Sequence, residues 1–353
     1  MAKTKTAKES ASAPPDLGKY DPEFLKSSLR RMILIRRFEE SAGQQYGLRK
    51  IGGFFHPYNG QEAVAVGTIS TLDLGRDSVL TSYRDHGHAL LCGVSTRSVM
   101  AELFGKITGV SRGKGGSMHM FNADQNFYGG NGIVGAQIPM AAGVAFASAY
   151  RKDVMDQGEV GVTLCYFGDG AIHQGAFHET ANLAAIWNVP VVFIVENNQF
   201  GMGTAVKRVS AVEDFDVKAK AYNMEGRIVD GMDFFAVYES FQEITRLARE
   251  DRKPILVDVK TYRYRGHSIS DPAKYRTKEE LEKYKGLDPI ISMKKVLLDG
   301  GLITESDYQA MDDSVKEEVK DAVSFADESP EPALETMYED VLVEDLAPGS
   351  YAG

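Results

Sequence analysis

The sequence is short of cysteine and of positive charge, and each shortage removes a class of function. Only two cysteines occur among 353 residues. Cys92 and Cys165 lie far apart, each in apolar surroundings, which argues against a disulfide framework and a thiolate metal centre. A reducing cytoplasm of the bacterial kind is the expected setting, with the mitochondrial matrix second. Forty Lys and Arg against fifty Asp and Glu give a formal net charge of -10. That balance speaks against nucleic acid and anionic membrane surfaces as partners and leaves any anion site to a local cluster.

Long apolar runs are missing too. The longest stretch of small and apolar residues, Gly135 to Tyr150, contains Gln137 and Pro139 and is too short to span a bilayer, so no membrane segment is expected. Residues 1–15, rich in Lys, Ala, Ser and Thr up to Pro14-Pro15, lack the apolar centre of a secretory signal and the Arg bias of a mitochondrial presequence. Residues 1–20 read as a flexible N-terminal arm and 21–353 as one domain, with charged C-terminal helices from about residue 277.

The patterns that are present describe an α/β protein. Asp21-Pro22-Glu23 has the order of a helix cap followed by proline in the first turn, and Leu25, Leu29, Met32 and Ile33 follow at helical spacing. That helix should end near Gly43 or Gly47. From about 50 to 270, short β-branched runs alternate with helical patterns, which predicts a mainly parallel sheet flanked by crossover helices. Beyond it, Thr277 and Glu280 have capping-box spacing. Tyr308, Met311, Val315, Val319 and Val323 form one apolar stripe for packing on the body.

Within the middle region, Val160 to Phe167 reads as a buried strand leading into Gly168-Asp169-Gly170. A helix from His173 to Trp187 and a strand from Val191 to Val195 then lead to Glu196-Asn197-Asn198. A helix of that length rises about 22 Å and a six-residue strand about 20 Å, so the helix returns the chain to start a parallel neighbour. Asp169 and Asn198 thereby share the sheet edge at which open α/β sheets bind ligands. Magnesium seeks about six oxygens, commonly one or two carboxylates with phosphates and water. Asp169, the Asn198 amide and a loop carbonyl leave room for both phosphates of a diphosphate. Gly168 and Gly170 permit close backbone approach, and the following helix start offers N–H groups. A bare Gly-Asp-Gly also makes ordinary turns; this one is followed, with 26 residues between, by Asn197-Asn198.

This pair resembles the thiamin diphosphate signature. His56-Pro-Tyr-Asn-Gly-Gln-Glu62, Ser82-Tyr-Arg-Asp-His-Gly87, Gly113-Lys-Gly-Gly-Ser-Met-His119, Gly129-Gly-Asn-Gly-Ile-Val-Gly-Ala-Gln137 and Arg263-Tyr-Arg-Gly-His-Ser268 extend the resemblance over nearly all the chain after residue 20. The family resembled is the alpha subunit of the pyruvate dehydrogenase component of 2-oxoacid dehydrogenase complexes. The resemblance implies a thiamin diphosphate-binding fold in which Asp169, the Asn198 side chain and the Phe200 carbonyl bind magnesium. It places Tyr83 and Arg84 on the diphosphate, Gly170 and Ala171 beside the cofactor, and Gly132 and Val134 with backbone toward the aminopyrimidine. His56 and His267 face the reacting centre. Arg84 suits its role because a planar, permanently charged fork matches phosphate oxygens.

The activity implied is oxidative decarboxylation of pyruvate with reductive acetylation of a lipoyl group. The partners implied are a beta subunit, in an alpha2-beta2 heterotetramer, and the lipoyl domain of the dihydrolipoyl acetyltransferase component. No Glu of this chain sits in a segment fit to serve the aminopyrimidine, so that carboxylate is expected from the beta subunit. The competing readings are the alpha subunit of acetoin dehydrogenase or of another 2-oxoacid dehydrogenase, a non-catalytic assembly subunit, and a magnesium phosphohydrolase, which would want more convergent carboxylates. Among the other histidines, His173 and His178 lie about 140° apart on a helix and make no metal pair. His86, His88 and His119 are read as ordering loops, and Glu196 and Asn197 as shaping theirs. Ser268 matches a regulatory serine of the eukaryotic enzymes. The loop is one residue shorter around Lys274, and Ala205 stands where another such serine would lie, so the same kinase control is not expected. Arg265 replaces a frequent histidine. The small residues between Gly135 and Ala149 would allow one helix to approach another closely.

Overall fold

A computed structural model describes residues 15–339. Its first long element, α1 (Pro22–Gly47), is capped by Asp21, whose carboxylate accepts from the Glu23 N–H at 3.0 Å; Pro22 sits where no N–H is required. Of the expected arm, residues 1–14 lie outside the described residues. Leu17–Lys19 form a 3-10 turn, and Leu17 packs against the main core.

The chain continues through α2 (Glu62–Ile69), β1 (Ser78–Ser82), α3 (His86–Leu91), α4 (Thr96–Leu103), β2 (Phe127–Asn131), α5 (Gln137–Asp153), β3 (Thr163–Gly168), α6 (Gly175–Trp187) and β4 (Val191–Asn197). A small antiparallel hairpin, β5 (Phe200–Gly201) with β6 (Thr204–Ala205), precedes α7 (Val206–Val209), β7 (Glu225–Asp230), α8 (Phe234–Glu250) and β8 (Ile255–Lys260). Then come α9 (Lys278–Lys285), α10 (Pro289–Asp299) and α11 (Glu305–Glu328).

Six strands form one parallel sheet in the order β2-β1-β3-β4-β8-β7. Alternate residues serve opposite faces. Leu164, Tyr166, Val192 and Ile194 join the core that includes α1, α2 and α8 residues, whereas Cys165, Phe167, Phe193 and Val195 join the core of α5 and α6. Burial on both faces is why these strands read as continuous apolar runs. The chain steps from β1 outward to β2 and then crosses to β3 on the other side, so a crevice opens beyond the carboxyl ends of β1 and β3. Gly168 pairs with Glu196, which puts Asp169 and Asn198 just past the same edge, as the strand-helix-strand argument requires.

Some local boundaries shift. The strand expected from Val160 begins at Thr163, because Gly161 N–H donates to Ser148 Oγ at 2.9 Å and Val162 N–H to Asp77 Oδ1 at 2.8 Å instead of joining the ladder on that side. The helix expected from His173 is preceded by a 3-10 turn over Ala171–His173 and starts at Gly175. Thr277 caps α9 by accepting from Glu280 N–H at 3.1 Å, but the Glu280 carboxylate accepts from Tyr262 OH at 3.0 Å. The reciprocal capping box is found two helices later, at the start of α11, between Thr304 and Asp307. On α11, Val315 and Val319 are buried, and Tyr308, Met311 and Val323 pack beside them. On α5, Ala141 and Ala145 face the core shared with α6, so part of the small-residue stripe serves an internal contact. Among the described residues no helix is long and apolar enough to cross a membrane.

Candidate functional site

Nearly every residue singled out from the sequence follows the carboxyl end of a strand. Tyr83 and Arg84 follow β1, Gly132 and Val134 follow β2, Asp169, Gly170 and Ala171 follow β3, and Asn198 and Phe200 follow β4. His267 lies on the loop after β8, and His56 arrives from the segment between α1 and α2.

His56, Tyr83, Gly132, Val134 and His267 line one cavity of about 600 Å³, together with Phe54, Met118 and Met202. Three rings form a triangle: His56 to Tyr83 at 4.6 Å, His56 to His267 at 5.1 Å and Tyr83 to His267 at 5.4 Å between centroids. Both imidazoles are held neutral. Burial, then the positive charge of Arg84, pushes His56 down to about 2 and His267 down to about 4. Each has a buried Nδ1 with no hydrogen-bond partner among the described residues.

Beside the cavity lies a polar cluster. Asp169 is only 3% exposed, and burial pushes its carboxyl up to about 6, with Arg263 pulling the other way. The Asn198 amide donates from Nδ2 to Gln61 Oε1 at 2.9 Å. Its Oδ1 accepts from Arg263 Nη1 at 3.4 Å, and the same nitrogen donates to the Phe200 carbonyl at 3.2 Å. Arg84 donates to the carbonyls of Pro57 at 2.6 Å and His267 at 2.9 Å, linking the cluster to the cavity. Burial, then the charge of Arg263, lowers Arg84 to about 10.

These groups fit a metal-bound diphosphate. Neither Gly168 nor Gly170 has a positive φ, so backbone strain does not demand glycine there. A Cβ on Gly168 would meet nothing within 4 Å, and one on Gly170 only the Gly201 Cα at 3.7 Å. The glycines therefore leave open room around Asp169, which an ordinary turn does not need. Among the described residues no group of three His, Cys, Asp or Glu side chains gathers as a metal site. The oxygen set here, one carboxylate with an amide and a carbonyl, has the chemistry that suits a hard ion able to complete its shell from phosphate and water.

The remaining polar residues brace this edge. Asn197 donates to Asp258 Oδ1 at 3.0 Å and ties β4 to β8. Glu196 accepts from Tyr58 OH, and burial raises its carboxyl to about 7. His86 bridges Glu39 at 3.0 Å and Ser117 Oγ at 2.8 Å; burial disfavours its charge, yet Glu39 outweighs that and its pKa lies above the usual histidine value. His88 is fully buried against the Tyr58 and Tyr166 rings. His119 meets the Gly130 carbonyl at 3.2 Å. Two residues escaped the sequence argument: Gln61, inside a quoted motif but without a role, and Arg263, recognisable only as part of a basic loop. Nothing in spacing alone ties either to Asn198.

A parallel sheet with buried carboxylate, amide and guanidinium groups at its carboxyl edge defines an α/β ligand-binding protein of the open-sheet kind. The chain belongs to the dehydrogenase E1 component family, whose family model matches residues 30–335. Relatives named pyruvate dehydrogenase E1 component subunit alpha include one from Rickettsia conorii, 48% identical across 92% of this chain and 98% of its own length. One from Rhizobium meliloti is 49% identical across 93% and 92%, and one from Porphyra purpurea is 45% identical across 87% and 89%. The resemblance drawn from the motifs, and the α/β class with it, is borne out.

Proposed function

We propose that this chain is the alpha subunit of a pyruvate dehydrogenase E1 component, a thiamin diphosphate-dependent oxidoreductase completed by a beta subunit. The observation that carries this reading is Arg263, which donates to both Asn198 Oδ1 and the Phe200 carbonyl and acts electrostatically on Asp169 and Arg84, beside a cavity edged by His56 and His267. In this reading those three oxygens hold magnesium, and Tyr83 and Arg84 meet the diphosphate. Gly170 and Ala171 lie beside it, and Gly132 and Val134 present backbone to the aminopyrimidine.

Bound there, the cofactor supplies the electron sink for loss of carbon dioxide from a 2-oxoacid. The protein holds it, keeps water away and places donors near oxygen that gains charge. Burial and the charge of Arg84 favour the neutral form of His56 and His267, so each keeps one ring N–H that can serve as a donor. Asp271, the carboxylate among the described residues lining the cavity, already accepts from the N–H groups of His267 at 2.6 Å and Ala273 at 2.8 Å. Proton traffic on the aminopyrimidine therefore calls for a carboxylate from the beta subunit.

Exposed apolar surface supports such a partner. Phe54, Ile133, Val134 and Met202 stand exposed around the cavity, and Phe146, Tyr150, Ile186 and Trp187 expose a second patch on α5 and α6. Patches of this kind mark protein contacts, and two of them suit an alpha2-beta2 assembly whose cavity mouth receives a lipoyl domain. We place this assembly in the cytoplasm; the unpaired Cys92 and Cys165 accord with a reducing compartment.

The test is to mix the chain with its beta partner, magnesium and thiamin diphosphate, and to measure decarboxylation of pyruvate, branched 2-oxoacids and acetoin cleavage. Preference for pyruvate is expected. A preference for acetoin would move the chain to acetoin dehydrogenase, and no turnover with any of them would overturn the reading.

A further inference from the structure

Asn198 presents a problem that Asp169 does not. A carboxylate offers oxygen whichever way it turns, whereas an amide has one oxygen and one NH2 of nearly equal shape, and only the oxygen can ligate a cation. Neighbouring groups must fix its sense.

On one side stands Arg263, a guanidinium that can only donate, with Nη1 3.4 Å from Asn198 and 3.2 Å from the Phe200 carbonyl. It selects the oxygen. On the other side Gln61 Oε1 accepts from Asn198 Nδ2 at 2.9 Å. Reversing the Asn198 amide would set its NH2 against the guanidinium, so Nδ2 faces Gln61 and calls for an acceptor there, which Oε1 provides. The Gln61 contact is the shorter and better formed of the two.

Gln61 is itself clamped. It is fully buried, and its N–H donates to the Tyr58 carbonyl at 3.2 Å. Before it, Gly60 has φ +98° and would put a Cβ 2.4 Å from the Tyr262 carbonyl, so the approach is open only to glycine. After it, Glu62 accepts from Gly60 N–H at 3.0 Å and from Arg36 Nη2 at 2.9 Å. Packing does not account for an amide in this place. Gln61 Nε2 is buried with no partner among the described residues, a penalty that an apolar side chain of the same length would avoid.

We propose that Gln61 is a positioning residue that, opposite Arg263, holds the Nδ2 side of the Asn198 amide and so keeps its oxygen available to the metal. This rests on the reading of Asp169, Asn198 and Phe200 as metal ligands. Outer partners that orient a ligand typically carry about tenfold to a hundredfold in metal affinity.

The test uses the enzyme assembled with its beta subunit and thiamin diphosphate, with manganese as the probe and its binding followed by electron paramagnetic resonance. Gln61→Met keeps the shape and removes the acceptor; manganese affinity should fall by about tenfold or more. Gln61→Glu still turns an oxygen to Nδ2, and should bind manganese as tightly as the unaltered enzyme or more so. If Gln61→Met does not assemble, Gln61→Asn, which withdraws the oxygen by one methylene, takes its place with the same expected loss. Unchanged affinity in Gln61→Met or its replacement, or an equal loss in Gln61→Glu, would overturn the proposal. Failure of the unaltered enzyme to bind manganese when thiamin diphosphate is present would instead overturn the ligand assignment beneath it.

Discussion

The loop from Gly109 to His119 and the loop from Arg263 to Arg276 both border the cavity, yet one is anchored by a buried anion and the other by cations. In the first, the fully buried Glu102 of α4 accepts from four backbone N–H groups, those of Ser111, Gly113, Gly115 and Gly116, at 2.7–3.0 Å. In the second, Arg263 donates to the carbonyls of Arg265, Phe200 and Met202, and Arg276 to those of Arg263, Tyr264 and Arg265. A carboxylate ringed by N–H groups is a finished arrangement. The buried Arg263 and the half-buried Arg276 face mainly carbonyls, which give them hydrogen bonds without a paired carboxylate, and a bound polyanion would add negative charge beside Arg263. The first loop is completed by its own chain, and the second is expected to be completed by what the site binds.

Asp169→Ala should give the largest effect. Loss of a direct metal ligand exceeds the loss of an outer partner, so magnesium-dependent binding of thiamin diphosphate by the assembled enzyme should weaken by more than about a hundredfold. Thermal unfolding without added cofactor should be unchanged or slightly raised, since a buried carboxylate is removed; the rise in Tm brought by cofactor should vanish. Unaltered titration affinity would refute the ligand assignment. Next comes Glu102→Gln, which replaces an oxygen that accepts two N–H groups by an NH2 that accepts none. The cost should be about 3 kcal/mol of stability, equal with and without cofactor. If saturating cofactor restores the lost Tm, the first loop is not self-sufficient and the contrast fails.

A third measurement follows the proton. Burial holds Asp169 at about 6 against its ordinary 3.8, and a metal binds only the ionised form. Magnesium affinity should therefore be flat above pH 6 and fall about tenfold for each pH unit below it. The sign for folding is the reverse. A carboxyl with its folded pKa raised binds its proton more tightly when folded, so its contribution to stability is present at low pH and lost as pH rises through about 6. Asp169→Ala should remove that dependence from the unfolding curve, and an unchanged slope between pH 4 and 6 would tell against the buried carboxyl as its source.

The contrast also explains what could be read from the sequence. Parallel strands buried on both faces leave continuous apolar runs, so the positions of Asp169 and Asn198 at one edge followed from element lengths alone. The start of β3 did not, because Ser148 and Asp77 divert two N–H groups from the ladder and neither is near in sequence. The grip of Glu102 on its loop was equally hidden, although the glycines at 113, 115 and 116 were plain: nothing local says which distant carboxylate they surround. Gln61 and Arg263 stand 137 and 65 residues from Asn198. Motifs mark which segments carry chemistry, but the orientation of an amide within them is set by contacts across the fold.

The smallest expected effect probes the far end of the second loop. Thr277 caps α9 through a single hydrogen bond to Glu280 N–H at 3.1 Å, and α9 holds the loop by Glu280 on Tyr262 OH and by Tyr284 stacked on the Tyr262 ring at 3.9 Å. Thr277→Ala should cost about 1 kcal/mol, and since α9 is not part of either main core cluster, that cost should fall on local opening rather than on global unfolding. Hydrogen exchange should quicken across 263–276 and stay unchanged across 109–119, and added cofactor should slow the first loop again. Equal quickening of both loops would mean that they open as one unit, and the division between a self-anchored loop and a ligand-anchored one would have to be abandoned.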